Sequence, residues 1–187
     1  MGKKIRTCIF ISGNGSNLKS ILKNSRDYNF PIKIELIISN NIKANGLKIA
    51  KKYSIPYKYF SSKSQKIFER KCLTEIRKKN IKFLCLAGFM KVLSDNFIKT
   101  FNNKIINIHP SLLPKYKGLN THERVLKNKE KFSGCTVHYV TTELDSGKII
   151  LQKKVLIDKN ETPNSLKLKI LKQEHTLYSK SIISIFK

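Results

Sequence analysis

Apolar positions along this chain keep two rhythms in alternation. Ile5 to Ile11, Ile32 to Ile38, Tyr57 to Phe60, Phe83 to Ala87 and the run Lys104-Ile105-Ile106 are short stretches rich in β-branched or aromatic residues, which predict strands. Between them the spacing turns helical. Leu18, Ile21 and Leu22 mark one helix, Ala44 to Tyr53 a second, and Gln65 to Lys79 a third with Ile67, Phe68, Cys72, Leu73 and Ile76 on one side. A further short helix is expected near Asp95 to Thr100. Strands that alternate with helices predict a parallel sheet, and the unbroken apolar run Phe83-Leu84-Cys85-Leu86-Ala87 suits a central strand covered on both faces. From Gly134 the pattern changes. Cys135 to Val140 and Ile149 to Ile157 read as strands joined by the short loop Thr141 to Gly147, an antiparallel hairpin added to the parallel sheet. Thr162 followed by Pro163 opens a last helix, along which Leu166, Ile170, Tyr178, Ile182 and Phe186 keep helical spacing. The expected fold is α/β: a Rossmann-like, doubly wound, mostly parallel sheet with an antiparallel hairpin in its C-terminal part. No repeat or linker divides the chain, so residues 1–187 are read as one domain with halves of about 1–100 and 101–187.

Composition alters this picture in one respect. The 38 Lys and Arg against 12 Asp and Glu give a net charge of +26. The excess is nearly all lysine, scattered from Lys3 to Lys187, and the arginines are only Arg6, Arg26, Arg70, Arg77 and Arg124. A nucleic-acid-binding face would cluster its cations, often as arginine. Dispersed lysines among many Ile and Asn read instead as compositional drift that gives a solvated basic surface, and anionic substrates gain from its field. Cys8, Cys72, Cys85 and Cys135 show no CxxC pairing, and His109, His122, His138 and His175 form no HxxxH pair. Reduced core thiols and no metal are expected. No stretch is long enough for a membrane span or a secretion signal, so the expected setting is the cytoplasm.

In open parallel sheets, ligands bind outside the carboxyl ends of the strands. Three such ends carry polar or glycine-rich loops. The first strand runs into Ser12-Gly13-Asn14-Gly15-Ser16-Asn17, a turn whose backbone N–H groups and following helix N-terminus can hold a phosphate. It lacks the third glycine of a dinucleotide fingerprint, and the second strand ends in Ser39-Asn40-Asn41 with no acid for a ribose diol. A mononucleotide-like ligand fits better than NAD; an ordinary capped glycine turn accounts for the same residues. Gly88-Phe89-Met90 follows the central strand, as core filler or as a wall for an aromatic ligand. The third loop is Asn107-Ile108-His109-Pro110-Ser111-Leu112-Leu113-Pro114, where Asn107 and His109 stand two apart on extended chain and share a face. An amide donor and a titratable imidazole then meet at one place, whether as a polar strand end or as catalytic groups.

These three loops, with Glu143-Leu144-Asp145-Ser146-Gly147 and Gln173-Glu174-His175 further on, resemble the phosphoribosylglycinamide formyltransferase family among the folate-dependent formyltransferases. The likeness extends from about Lys4 to Phe186. It implies a formyltransferase fold and transfer of a formyl group from the co-substrate 10-formyltetrahydrofolate to the amine of glycinamide ribonucleotide, without a metal. By the same resemblance Asn107, His109 and Asp145 are catalytic, and Gly15, Ser16 and Asn17 hold the substrate phosphate. Leu171, Lys172, Gln173 and Glu174 lie toward the substrate's ribose and amine. Met90, Lys91, Val92, Leu93, Asn107, Thr141, Thr142, Glu143, Leu144 and Asp145 enclose the folate. Gln65 stands where many members have an Arg for the folate's glutamate tail, Asn120 where His is common and Thr142 where an acid is common. The family includes monomers and homodimers.

Two alternatives remain at this stage. A methionyl-tRNA formyltransferase shares the Asn/His/Asp chemistry but normally carries a further RNA-binding domain, for which 187 residues leave no place. A basic, non-catalytic nucleic-acid-binding protein would need clustered cations with interleaved aromatics.

Overall fold

The chain begins in the middle of its sheet. A computed structural model describes residues 4–187, so Lys3, first of the basic residues at the amino terminus, lies outside the described residues. In chain order the elements are β1 (Ile5–Ile11), α1 (Ser16–Asn24), β2 (Ile32–Ser39), α2 (Asn45–Lys52), β3 (Tyr57–Tyr59), α3 (Gln65–Lys78), β4 (Phe83–Leu86), α4 (Asp95–Phe101), β5 (Lys104–His109), α5 (Thr121–Lys127), β6 (Phe132–Tyr139), β7 (Ile149–Leu156) and α6 (Pro163–Phe186). One seven-stranded sheet has the order β3-β2-β1-β4-β5-β6-β7. β1 to β5 pair in parallel, and β6 and then β7 are added antiparallel. The chain winds outward from β1 to β3, returns through α3, and resumes at β4 on the other side of β1. The exits of β1 and β4 therefore diverge from adjacent strands, at the switch point where such sheets open a crevice.

Alternation along the strands builds two layers. Cys8 and Phe10 face one side of the sheet with Phe68, Cys72, Leu73 and Ile76 of α3 and Phe97 and Phe101 of α4. Ile9 and Ile11 face the other, against Leu18, Ile21 and Leu22 of α1 and Leu166, Ile170, Tyr178 and Ile182 of α6. Each such side chain contributes about 1.5–3 kcal/mol when fully buried, so the two layers carry most of the stability. All of β4 is buried, as its unbroken apolar run requires. The four cysteines are free and buried, and burial pushes the Cys135 thiol up to about 12, so none is a nucleophile at neutral pH.

Two local expectations are corrected. β6 begins at Phe132, upstream of the expected Cys135, and runs straight through Gly134. That glycine marks close packing: a Cβ there would collide with the Lys153 carbonyl and press on Leu112. On α3, Ile67 is 46% exposed, while Glu69 is buried in the face where apolar residues were expected. Glu69 accepts Ser94 N–H at 2.8 Å and also the Ser94 hydroxyl, so a carboxylate secures the N-cap of α4.

One buried hydroxyl locks α6 to the sheet beside the crevice. Tyr178 Oη donates to Leu86 O at 2.9 Å and lies 3.3 Å from Ile106 O, in β4 and β5, the strands that lead into the two central loops. Glu174, one helical turn earlier, is thereby aimed at the same edge.

Candidate active site

β5 and β6 pair so that Asn107 lies opposite His138 and His109 opposite Thr136. The β6–β7 connection then carries Asp145 back over the pair. His109 Nδ1 lies 3.3 Å from Asp145 Oδ2, and His138 Nε2 lies 3.6 Å from Asp145 Oδ1, all three side chains being less than a tenth exposed. His138 Nδ1 sits 2.9 Å from Tyr139 O, which can only accept, so Nδ1 carries the proton and Nε2 is free to accept Asn107 Nδ2–H at 3.3 Å. The second N–H of Asn107 remains for a ligand. Asp145 adopts φ +48°, a left-handed turn conformation that Asp tolerates, and accepts Gly118 N–H at 2.9 Å. Gly147 closes the same turn where a Cβ would collide with Tyr139 O. The sequence motifs therefore do bring Asn107, His109 and Asp145 together; His138, Tyr116 and Gly118 join them unannounced. Pairing His138 with Asn107 required the β5–β6 register, although its place in an apolar strand ahead of Asp145 was a usable signal.

His109 Nε2 faces Tyr116 O at 2.8 Å. A carbonyl cannot donate, so the ring is Nε2–H, and its other nitrogen looks at a carboxylate. Burial pushes the His109 pKa below its ordinary value; the Tyr116 carbonyl and the Asp145 carboxylate oppose that shift without cancelling it. For Asp145 burial raises the pKa, but the facing His138 ring, the Gly118 N–H bond and the nearby His109 outweigh it, leaving the carboxyl below the usual range. At neutral pH the site thus holds a neutral imidazole against an ionised carboxylate, an arrangement ready to accept one proton and stabilise the resulting imidazolium.

The β1 loop opens at the same carboxyl edge of the sheet, two strands from β5. Gly15 is the N-cap of α1 at φ +73°, and a Cβ there would stand 2.6 Å from Gly46 Cα, so only glycine lets the loop pack on the start of α2. No side chain caps α1 and no acid lies in its first turn, so the positive end of the helix at Ser16 and Asn17 is not neutralised by its own side chains. The Asn17 side chain is otherwise engaged. Its Nδ2 donates to Glu174 Oε2 at 2.7 Å, while its buried Oδ1 has no partner. Burial raises the Glu174 pKa, partly offset by Asn17. Of its α6 neighbours, Leu171 and Gln173 are half-buried and Lys172 is exposed.

The remaining loops present apolar surface to solvent. Met90 is 66% exposed, Val92 59%, Leu119 72% and Leu144 51%, side chains that a folded chain ordinarily covers. Leu93 is buried, and Lys91 and Thr141 to Glu143 are exposed. Gln65 donates to Glu69 Oε1 at 3.0 Å and to Val92 O at 3.1 Å, so its amide hydrogens tie α3 to the Lys91–Leu93 loop. Lys63 and Lys91 line the same 210 Å³ cavity as Gln65, Glu69 and Phe89.

An uncapped helix N-terminus and a His/Asp/Asn cluster thus stand at the carboxyl ends of the parallel strands of one open α/β sheet. Residues 5–182 match the formyl transferase family, and the chain belongs to it. Within that family it is similar to the phosphoribosylglycinamide formyltransferase of Escherichia coli, 36% identical over 173 residues that make up 91% of this chain and 82% of that protein. The human trifunctional purine biosynthetic protein adenosine-3 is 37% identical over 179 residues, 94% of this chain; the chain spans 18% of that protein's length. A crystal structure of phosphoribosylglycinamide formyltransferase from Brucella melitensis superposes with a TM-score of 0.93 at 36% identity, covering 98% of this chain and 96% of that one. These relatives favour neither the tRNA formyltransferase nor the nucleic-acid-binding alternative. Among the described residues no helix is long and apolar enough to cross a membrane.

Proposed function

We propose that this chain transfers the formyl group of 10-formyltetrahydrofolate to the amine of glycinamide ribonucleotide, giving N-formylglycinamide ribonucleotide and tetrahydrofolate in de novo purine biosynthesis. The observation that carries the reading is the His109–Asp145 pair at 3.3 Å, set beside Asn107 at a sheet edge that also offers an uncapped helix N-terminus. In this reading residues 1–187 act as one domain in the cytoplasm. The N-terminal half takes the phosphorylated substrate on Gly15, Ser16 and Asn17, with backbone N–H groups supplying the contact because the Asn17 amide serves Glu174. Asn17 Oδ1 and the Glu174 carboxylate are two neighbouring acceptors, with no ion pair to Glu174 among the described residues, suited to the donors of a glycinamide amine or ribose. Met90, Val92, Leu119 and Leu144 form apolar walls for a flat pterin.

The amine nitrogen attacks the formyl carbon, and the formyl oxygen gains negative charge. Asn107 Nδ2 donates its free hydrogen there, and loss of a donor of this type raises a barrier by about 2.7–4 kcal/mol. The formyl oxygen also competes with Tyr116 O for the His109 Nε2–H. The proton that the attacking nitrogen sheds reaches His109 Nδ1 by way of the Asp145 carboxylate, the Nε2 proton passes to the departing folate nitrogen, the C–N bond to the folate breaks, and Asp145 holds the transient imidazolium. The proton count closes without an external acid.

The test follows formyl transfer from 10-formyltetrahydrofolate by absorbance, with glycinamide ribonucleotide and charged initiator tRNA offered separately. Turnover with the ribonucleotide alone is expected. Turnover only with tRNA overturns the substrate, and silence with both overturns the activity.

A further inference from the structure

Ser12 lies between the two loops assigned above to different substrates, and all of its polar groups are engaged. Its N–H donates to Gly88 O at 3.1 Å and its carbonyl accepts Asn41 Nδ2–H at 3.0 Å. Its hydroxyl donates to Asn40 Oδ1 at 2.7 Å and accepts Met90 N–H at 2.8 Å. Asn40 reaches on to Ser62 Oγ at 3.5 Å. One residue, 9% exposed, thus joins the exits of β1, β2 and β4, and through Asn40 the segment after β3. In the sequence it is only the first residue of the glycine turn, and its side chain is given no role there.

We propose that Ser12 is a positioning residue that couples the two substrate sites, making the phosphate loop and the Gly88–Met90 loop one mechanical unit. The proposal rests on the formyltransferase reading. A phosphate seated on the N–H groups of Ser16 and Asn17 fixes the loop that starts at Ser12. Fixing the hydroxyl fixes Met90 N, and with it the exposed Met90 and Val92 that wall the second site. Whichever ligand arrives first meets the ordering cost of both loops, and the second then binds more tightly, which is positive cooperativity without a change of fold.

The experiment is isothermal titration of glycinamide ribonucleotide into the whole protein, alone and saturated with tetrahydrofolate, which has no formyl group to transfer. In wild type the ribonucleotide Kd is expected to tighten about fivefold when folate is present, the low end of ordinary coupling. In Ser12→Ala the ratio of the two Kd values falls to one, while each ligand alone still binds. A purely structural role would weaken both ligands or lower stability and leave the ratio intact. A wild-type ratio of one, or an unchanged ratio in Ser12→Ala, overturns the proposal. If neither ligand binds wild type, it is the formyltransferase reading that falls. Should Ser12→Ala not fold, Ser12→Cys puts a poor acceptor where the hydroxyl met Met90 N–H, and an unchanged ratio there overturns the coupling equally.

Discussion

Thr136→Val isolates a hydroxyl that holds the catalytic loop at its root. Thr136 is fully buried, and its Oγ1 donates to Ser111 O at 2.6 Å while accepting Leu113 N–H at 3.1 Å and Gln152 Nε2–H at 2.9 Å. Valine keeps the shape and removes all three bonds. Gln152 retains Leu113 O at 2.7 Å, but the Leu113 N–H and the Ser111 carbonyl are left in a buried place with nothing to replace the hydroxyl. Each of the two stranded groups costs about 1–3 kcal/mol, so the loss is about 2–6 kcal/mol. Thr136→Ser keeps the hydroxyl and gives up one methyl, for about 0.8 kcal/mol. Urea unfolding of the three proteins reads the difference directly, and the melting temperature should fall by about 2–4 °C per kcal/mol for a chain of this size. Activity should follow, because the loop fixed at Ser111 and Leu113 carries Tyr116 O to His109 and Gly118 N to Asp145. Thr136→Val within about 0.5 kcal/mol of Thr136→Ser, the scatter of a neutral surface change, refutes the reasoning.

Four further outcomes are expected. His109→Ala and Asp145→Asn should cut turnover by about 10²–10⁴-fold with the unfolding midpoint little changed; loss of folding under conditions where wild type is stable contradicts a role confined to the site. Gly15→Ala should raise the ribonucleotide KM and leave the folate KM near wild type, since its Cβ meets Gly46 Cα at 2.6 Å and disturbs only the phosphate loop; an unchanged ribonucleotide KM counts against the loop. Glu174 has a raised pKa, so its contribution to stability is present below the unfolded value of about 4.3 and lost as pH rises through the folded one; Glu174→Gln should therefore be more stable than wild type at pH 7 and converge with it in acid, whereas an equal gap at both pH values refutes the charge cost. His109, His122 and His175 all have lowered pKa values from burial, so the neutral forms favour folding: wild-type stability should decline as pH falls below about 6.5, and a rise there contradicts the sign.

The order and type of the elements were legible along the chain, because apolar runs and helical spacing report directly on which faces are buried. The sequence also located Asn107 with His109, since two positions on one extended strand share a face whatever surrounds them, and Asp145 was legible through the familiar company of motifs. Only the tertiary structure decided what those groups touch. His138 stands in an apolar strand ahead of Asp145, but its pairing with Asn107 comes from the antiparallel register of β6 on β5. Tyr116 O and Gly118 N are backbone atoms, whose direction depends on the path of the loop and not on the residue type. Asn17 looked like a phosphate donor in its glycine turn and instead spends its amide on Glu174, which lies 157 positions away along the chain. Ile67 and Glu69 exchanged expected places because a buried carboxylate is tolerated once Ser94 and Gln65 supply hydrogen bonds, and periodicity carries no information about such partners. Burial patterns are local and can be read along the chain; hydrogen-bond partners at a site come from segments that only folding brings together.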